Sequence, residues 1–392
     1  MKRFFLIPLT MILLAGMVLG GCAQQAPAPA TTPSPTSKPA PSPTVAPSPA
    51  PSPAPITTPS PTAKPAPTTA PAKVYNLKFS YHTPPQASLV GAYLKPWTEA
   101  IEKATGGQVK ITHYPGETLV KAKDQYDALV SKLSDIALVD TSETPGRFPQ
   151  TEFDTLPYIF VDGSSAAKTY WDILQKYCVN SELKEIQLLA VAVIASSNYA
   201  GNKSAQNVSD FKGMRVRSAG RTESWTVGAL GATPIEIATS DLSTSLERGL
   251  IDGVFISWSA ILSFGIKDVT KYRTECDMYY RVFPIIMNKQ VWNSLPADIQ
   301  KAIMDASGQA NSATYSVENV KLGLGAKNAI AGSDKATGKP PIYTLTAEQL
   351  TAWKAAVLPV WDKWAADLNG KGLPGKAIID DIKTFNQKYT AK

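Results

Sequence analysis

The 392-residue chain is poor in the residues on which most metal and catalytic sites depend. It contains two histidines, His82 and His113, and three cysteines. So few imidazole and thiol groups argue against a zinc site, and neither histidine lies beside an obvious nucleophile. No P-loop, His-Glu-x-x-His or Gly-x-Ser-x-Gly pattern is present. The sequence therefore predicts that the protein is not an enzyme and takes no metal or cofactor.

Acidic residues are missing from the first part of the chain. Residues 1–73 hold five of the 39 lysines and arginines and none of the 32 acidic residues, so the rest of the chain carries 34 basic against 32 acidic side chains. The formal charge of +7 thus reduces to about +2 for the folded part. Such a balance gives no electrostatic basis for a nucleic-acid partner.

The N-terminus has the pattern of an export signal. Two basic residues precede an apolar run over residues 4–18, which is too short for a comfortable membrane span. Leu-Gly-Gly before Cys22 resembles the lipobox of bacterial lipoproteins. We therefore expect residues 1–21 to be a lipoprotein signal peptide, Cys22 to carry the lipid, and the protein to be extracytoplasmic and membrane-anchored. An ordinary secretory signal with an incidental Cys22 is the alternative.

The segment after Cys22 lacks the apolar residues that a folded core needs. Residues 23–73 consist almost entirely of Pro, Ala, Ser and Thr. A stretch of this composition cannot bury enough surface to offset its ordering entropy. Residues 22–73 are therefore predicted to be a lipidated cysteine followed by a disordered tether. Cys178 and Cys276 are then the only cysteines of the folded part, too few for a disulfide framework. The spacing does not decide whether these two cysteines form one disulfide with each other.

The remaining chain, about 320 residues, exceeds the size at which one core grows comfortably, so two lobes are expected. Period-2 and period-3.6 segments alternate along it, which favours an α/β fold with parallel strands whose ligands bind beyond the carboxyl ends. Strands are predicted at 77–81, 108–112, 135–139, 214–217, 234–237, 251–256 and 283–287. Helices are predicted at 89–101, 123–133, 222–230 and 242–248, over most of 297–330, and at 347–368 and 375–389.

Three sequence blocks give a specific resemblance. They are DFKGMRVR at residues 210–217, ALGATP at 229–234 and LERGLIDG at 246–253. In this order and spacing they resemble the DctP family, the substrate-binding subunits of tripartite ATP-independent periplasmic (TRAP) transporters. The resemblance implies a two-lobed type II periplasmic-binding-protein fold with a long helix spanning both lobes and crossovers near Ala195 and Arg281. The implied lobes are 74–196 plus 282–325 and 197–281 plus 326–392.

The family's carboxylate-binding arginine falls on Arg217, so the resemblance implies that this residue grips the ligand. The planar guanidinium suits the role because it donates two parallel bonds to a carboxylate. Arg215 points the same way along the strand and is the competing candidate. Lys203 lies where many relatives have a second basic contact, although a solvated lysine remains an equal alternative.

The expected walls of the site are apolar. Many relatives have a glutamate two positions after the Asp-Gly of the third block, whereas this chain has Phe255 there, followed by Trp258. Such a wall favours a monocarboxylate with an alkyl or aromatic body. Trp258 is equally compatible with the core. Tyr81, His82 and Thr83, at the end of the first strand, are expected to face the cleft from the other lobe.

The resemblance implies a transport receptor that captures a small organic acid and delivers it to the small and large membrane subunits of a TRAP permease. A receptor of the same fold that presents its ligand to a membrane histidine kinase is the alternative, and the sequence does not separate the two. It does not identify the acid either.

Overall fold

The structure is a computed structural model that describes residues 73–144 and 146–390. The predicted signal peptide, Cys22 and all but the last residue of the predicted tether lie outside these residues. None of the described helices combines the length and apolar character that crossing a membrane requires.

Within the described residues, eleven strands form two mixed sheets. The first sheet has the order β2-β1-β3-β10-β4 and the second has the order β11-β9-β5-β8-β6-β7. The strands are β1 Tyr75–Ser80, β2 Val109–Tyr114, β3 Ile136–Leu138, β4 Ile186–Val193, β5 Ser197–Gly201, β6 Arg215–Ser218, β7 Thr233–Glu236, β8 Gly253–Ser257, β9 Tyr272–Glu275, β10 Val282–Asn288 and β11 Tyr343–Thr344.

Each sheet is the centre of one lobe. Strands β1, β2 and β3 are parallel, as are β6, β7 and β8. The chain enters the second sheet between β4 and β5 and returns to the first between β9 and β10, and all four of these strands pair antiparallel with neighbours. Apolar side chains from both faces of each sheet are buried under helices. The two-lobed α/β fold expected from the sequence is therefore confirmed.

Thirteen α-helices lie in the described part of the chain. They are α1 Lys95–Ala104, α2 Gln125–Val130, α3 Gly163–Ile173, α4 Arg221–Ala229, α5 Leu242–Glu247, α6 Trp258–Ser263, α7 Ile266–Val269, α8 Lys289–Ser294, α9 Ala297–Asp305, α10 Gly308–Ala336, α11 Ala347–Val357, α12 Pro359–Gly370 and α13 Gly375–Thr390.

The long helix α10 contacts both lobes. Its N-terminal half serves the first sheet, because the Ser312 and Ser316 hydroxyls accept bonds from backbone N–H groups of β4. Its C-terminal half serves the second, where Ile330 is buried against apolar residues of β8 and α6. Asp334 forms a buried ion pair with Arg273 of β9, with 3.1 Å between Oδ2 and Nη1. This helix bridges the cleft as the resemblance implied.

The C-terminal helices require a correction to the predicted lobes. The resemblance implies that residues 326–392 belong to the second lobe, and the sequence predicts helix over residues 347–368. Instead, α11 packs on the second lobe, whereas α12 and α13 bury Trp364 and Ile378 in the core of the first. Pro359, which has no N–H to donate, starts α12 at the point where the chain crosses back. Helix α13 packs on α3, and α12 packs on α13 and α4, partners that their sequences do not specify.

The two cysteines of the folded part do not form a bridge. Cys178 and Cys276 are both free and buried, and they belong to different apolar cores. Burial raises the pKa of both thiols well above the ordinary value. Each therefore behaves as a small apolar core residue.

Candidate ligand-binding site

A cavity lies between the lobes at the carboxyl ends of β1, β6 and β8, where parallel α/β sheets bind ligands. Both lobes contribute to the cavity. Arg281 and Phe283, at the start of β10, line the side nearest the crossovers. Its polar lining includes His82, Thr83, Asp140, Ser197, Arg217, Glu223, Thr239, Ser257, Ser259 and Arg281.

The remaining walls of the cavity are apolar. Ile194, Phe255, Ile256, Phe264 and Phe283 line it. Phe255 also packs edge-to-face on Tyr199 of the neighbouring strand, so its ring is held in place from behind. An apolar chamber with a few charged groups is the usual form of a small-molecule site.

Arg217 lies near the carboxyl end of β6, and its side chain is only 6% exposed. Its Nε donates to the Ile237 carbonyl oxygen at 3.0 Å. Its Nη2 contacts Glu143 Oε1 at 3.1 Å and Thr239 Oγ1 at 2.9 Å, and its Nη1 contacts Glu223 Oε2 at 3.5 Å. Arg217 is thus a fixed, buried cation that already has carboxylate partners from its own chain.

A second buried arginine lies beside it. The Arg281 guanidinium bonds the carboxylates of Asp140 and Glu223, and its Nη2 donates to Ser142 Oγ at 2.6 Å. Burial disfavours the charge of Arg281, but these carboxylates outweigh burial and raise its pKa. Asp154 behaves in the opposite way, since burial raises the pKa of its carboxyl to about 8. No pattern in the sequence points to Arg281 as a site residue beyond its place at the expected crossover.

His82 contributes a polar group without a partner. Its Nδ1 is buried and has no hydrogen-bond partner among the described residues, while the ring packs edge-to-face on Phe283. Burial lowers the pKa of His82, so the imidazole is neutral near pH 7. His82 lines the cavity, and a neutral imidazole has one donor and one acceptor nitrogen.

The structure brings together four of the seven side chains predicted for the site: His82, Thr83, Arg217 and Phe255. The other three lie elsewhere. Tyr81 is buried behind the strand, where its hydroxyl bonds His113 Nδ1 at 3.0 Å. Trp258 is in the core against α10, the alternative that the sequence left open.

Lys203 is the third predicted side chain outside the cavity lining. Its ammonium pairs with Asp252 Oδ1 at 3.3 Å, and it lies with Arg215 at the amino ends of β6 and β8. Both basic side chains are about half exposed. Arg215 projects from the same face of β6 as Arg217 but lies two residues earlier, at the amino end of the strand, and is not part of the cavity lining.

The described residues contain no group of three His, Cys, Asp or Glu side chains that could hold a metal ion. Two α/β lobes joined by crossovers, with a charged cavity between them, define the class of extracytoplasmic solute-binding proteins. The family model "Bacterial extracellular solute-binding protein, family 7" (DctP) matches residues 79–367. The chain belongs to this family, the solute-binding subunits of TRAP transporters, which are receptors rather than enzymes.

Individual relatives agree with this placement. The C4-dicarboxylate-binding periplasmic protein DctP of Rhodobacter capsulatus is 28% identical over 74% of this chain and 86% of its own length. A TRAP solute-binding protein from Rhodoferax ferrireducens, solved with copurified benzoate, is 25% identical with a TM-score of 0.76, over 81% and 99% of the two chains. A marine-metagenome TRAP protein specific for aromatic acids, solved with metahydroxyphenylacetate, is 26% identical with a TM-score of 0.75, over 81% and 100%.

Proposed function

We propose that this TRAP solute-binding protein captures a small organic monocarboxylate, with Arg217 as the clamp on the carboxylate, and delivers it to the small and large membrane subunits of a TRAP permease. The observation that carries the proposal is a buried arginine fork in a cavity whose other walls are mainly apolar. A guanidinium shielded from water binds a carboxylate more strongly than an exposed one does.

The apolar walls support a ligand with an aromatic or branched body. Phe255, Phe264 and Phe283 offer ring surfaces, and His82 and the serine hydroxyls offer single hydrogen bonds. A second ligand carboxylate would meet Asp140 and Glu223 rather than another free cation. Two of the similar solved proteins hold aromatic acids, benzoate and metahydroxyphenylacetate, which agrees with this choice.

The ligand class is tested by a thermal-shift screen followed by calorimetry. The panel contains benzoate, 3-hydroxybenzoate, mandelate and branched-chain keto acids, with succinate as the dicarboxylate. We expect at least one monocarboxylate to bind at micromolar concentration and succinate to bind at least about tenfold more weakly. Binding of succinate in preference to every monocarboxylate would contradict the proposal.

The clamp is tested by Arg217→Ala, with Arg215→Ala as the matched control on the same strand. Loss of one partner of a buried charge pair costs roughly 2 to 5 kcal/mol, or about 30-fold to several-thousand-fold in Kd. Arg217→Lys keeps the charge without the fork and should recover only part of the loss. Because Arg217→Ala also leaves Glu143 without its cation and Glu223 with Arg281 alone, binding is measured well below the Tm of each variant. Unchanged affinity in Arg217→Ala would remove Arg217 from the site.

We also propose that Cys22 carries a lipid anchor, on the basis of the Leu-Gly-Gly sequence before it. Acyl chains contribute roughly 0.8 kcal/mol per buried methylene, so two or more hold a protein firmly to a membrane. Cys22→Ser should therefore move the protein from the membrane fraction to the supernatant after cell fractionation. Equal membrane retention of Cys22→Ser and the wild type would contradict the anchor.

A further inference from the structure

Glu143 connects the two lobes at the candidate ligand site. It ends the 3-10 turn Thr141–Glu143, which follows β3 in the first lobe. The hydrogen bonds of its side chain to the described residues are all to the second lobe: Oε1 lies 3.1 Å from Arg217 Nη2 and accepts from Thr239 Oγ1 at 2.8 Å and Thr239 N at 3.3 Å. With its side chain only 7% exposed, the carboxylate is enclosed between the lobes.

Glu143 occupies donors that a bidentate ligand would need. A guanidinium has five N–H groups, and a fork grip uses two parallel ones. In Arg217 the Nε–H goes to Ile237, one Nη1–H goes to Glu223, and both Nη2–H groups go to Glu143 and Thr239. One Nη1–H is left without a partner among the described residues. While Glu143 stays in place, an incoming carboxylate obtains a single bond from Arg217 instead of two.

The charges around Glu143 also disfavour the presence of a second carboxylate, that of the ligand acid, beside it. Asp140, Glu143 and Glu223 face the two cations Arg217 and Arg281, so a bound carboxylate would add a fourth negative charge to two positive ones. Burial, and to a smaller extent the charge of Asp140, raise the pKa of Glu143, although both arginines oppose the shift. The charged form of Glu143 is therefore already disfavoured in the empty site. Glu143 also lines a second groove, whose charged residues include Glu117, Lys121, Glu236 and Asp241.

We propose that Glu143 is an internal competitor for the ligand carboxylate: it holds Arg217 and joins the lobes while the site is empty, and the ligand acid must displace it. This inference rests on the proposed role of Arg217. It makes Glu143 a residue that sets affinity without being a contact of the bound ligand. The two carboxylates exchange on one guanidinium, so Arg217 has a carboxylate partner both before and after binding.

The binding test compares Glu143→Gln with Glu236→Gln, a glutamate of the same groove that forms no ion pair with the described residues, whereas Glu143 pairs with Arg217. Benzoate is the probe, and calorimetry gives its Kd. The amide keeps the shape of Glu143 but removes the charge that holds Arg217. We expect Glu143→Gln to bind benzoate about tenfold more tightly than the wild type, and Glu236→Gln to stay within about twofold. Equal or weaker binding by Glu143→Gln overturns the inference while leaving the proposed function intact.

A second test needs no ligand. Spin labels at Lys103→Cys on α1 and Glu247→Cys on α5 report the distance between the lobes, in a Cys22→Ser background because Cys178 and Cys276 are buried. Without ligand, Glu143→Gln should show a larger fraction of long distances than the wild type. Identical distributions overturn the inference. If neither protein binds benzoate, the proposed ligand class fails for that acid, and the distance measurement alone decides the role of Glu143.

Discussion

Two groups of charged side chains, which include Arg217 and Arg215 of the same strand β6, differ in how deeply they are buried. The cleft cluster consists of Asp140, Glu143, Arg217, Glu223 and Arg281, whose side chains are at most 11% exposed. The outer cluster consists of Lys203, Arg215 and Asp252, whose basic side chains are 52% and 46% exposed.

The difference shows that burial, rather than residue type, gives these ions their importance. Water screens the outer cluster, and an exposed ion pair is worth roughly 0 to 1 kcal/mol. The cleft cluster is held in a low-dielectric environment, where each charge depends on its partners and an unpaired one is costly. In the proposed mechanism a ligand carboxylate that enters between the lobes exchanges with one of these partners. The exposed ion pair of Arg215, two residues earlier on β6, offers no such exchange.

Removal of Arg281 should give the largest effect. Arg281→Ala leaves Asp140 and Glu223 buried with less compensating charge, and breaking such a group typically costs about 3 to 5 kcal/mol. Urea unfolding measures the loss. The double variant Arg281→Ala with Glu223→Gln should recover part of it, because one unpaired charge is removed. A loss below about 1 kcal/mol would show that the cleft cluster is no more sensitive than the outer one.

Asp154, which lies near Arg281, should make stability depend on pH. Its folded pKa of about 8 exceeds the unfolded value of about 3.9, so the folded state holds a proton that the unfolded state releases between these values. Its contribution is therefore fully present below pH 4 and is lost as pH rises through 8. Asp154→Asn should gain stability relative to the wild type from pH 5 to pH 8, measured by urea unfolding.

Asp252 of the outer cluster is the matched control for that experiment. Burial pushes its pKa upward, but the Arg215 backbone and side chain and the Lys203 ammonium outweigh burial, so the pKa is lowered. The stabilisation from Asp252 is thus present throughout pH 5 to 8 and is lost only as pH falls toward the lowered pKa. Asp252→Asn should cost the same at pH 5 and pH 8. If the unfolding free energies of Asp154→Asn and the wild type change with pH in parallel, the raised pKa of Asp154 is contradicted.

Gly220 allows the lobes to approach each other at the cleft cluster. A Cβ at this position would lie 2.8 Å from the Ser142 carbonyl oxygen of the first lobe, and the obstacle is backbone. Gly220→Ala should therefore hinder closure and weaken monocarboxylate binding by about tenfold, measured by calorimetry. Gly228→Ala, on the following helix with no atom within 4 Å of the added carbon, is the control and should leave affinity unchanged. Equal affinities would show that the lobes adjust freely.

The smallest effect is expected in the outer cluster. Arg215→Ala and Lys203→Ala should each cost less than about 1 kcal/mol in urea unfolding and change ligand affinity less than twofold. Added salt at about 1 M, where the Debye length is about 3 Å, should remove most of that cost. A tenfold loss of affinity in either variant would show that these residues take part in ligand binding, and would contradict the contrast between the two clusters.

The sequence by itself determined the elements, the family and one end of the site. Alternating apolar residues predicted β6 at 214–217 and β8 at 251–256, within about two residues of the observed strands. Hydrophobic periodicity and turn residues are local properties, so they are readable without knowing the fold. Parallel strands then place Arg217 and His82 at the same edge as the cleft, because ligands bind at the carboxyl ends of such strands.

Only the tertiary structure decided what surrounds that edge. Glu143 and Arg217 meet across 74 positions of chain, and Arg281 and Asp140 meet across 141. No local pattern encodes such pairs, because they depend on how the lobes are joined. Trp258 and Lys203 show the same limit, since a core tryptophan and a solvated lysine have the same sequence appearance as cleft residues. The energy of each ion is set by burial, which belongs to the packed molecule and not to the segment that carries the residue.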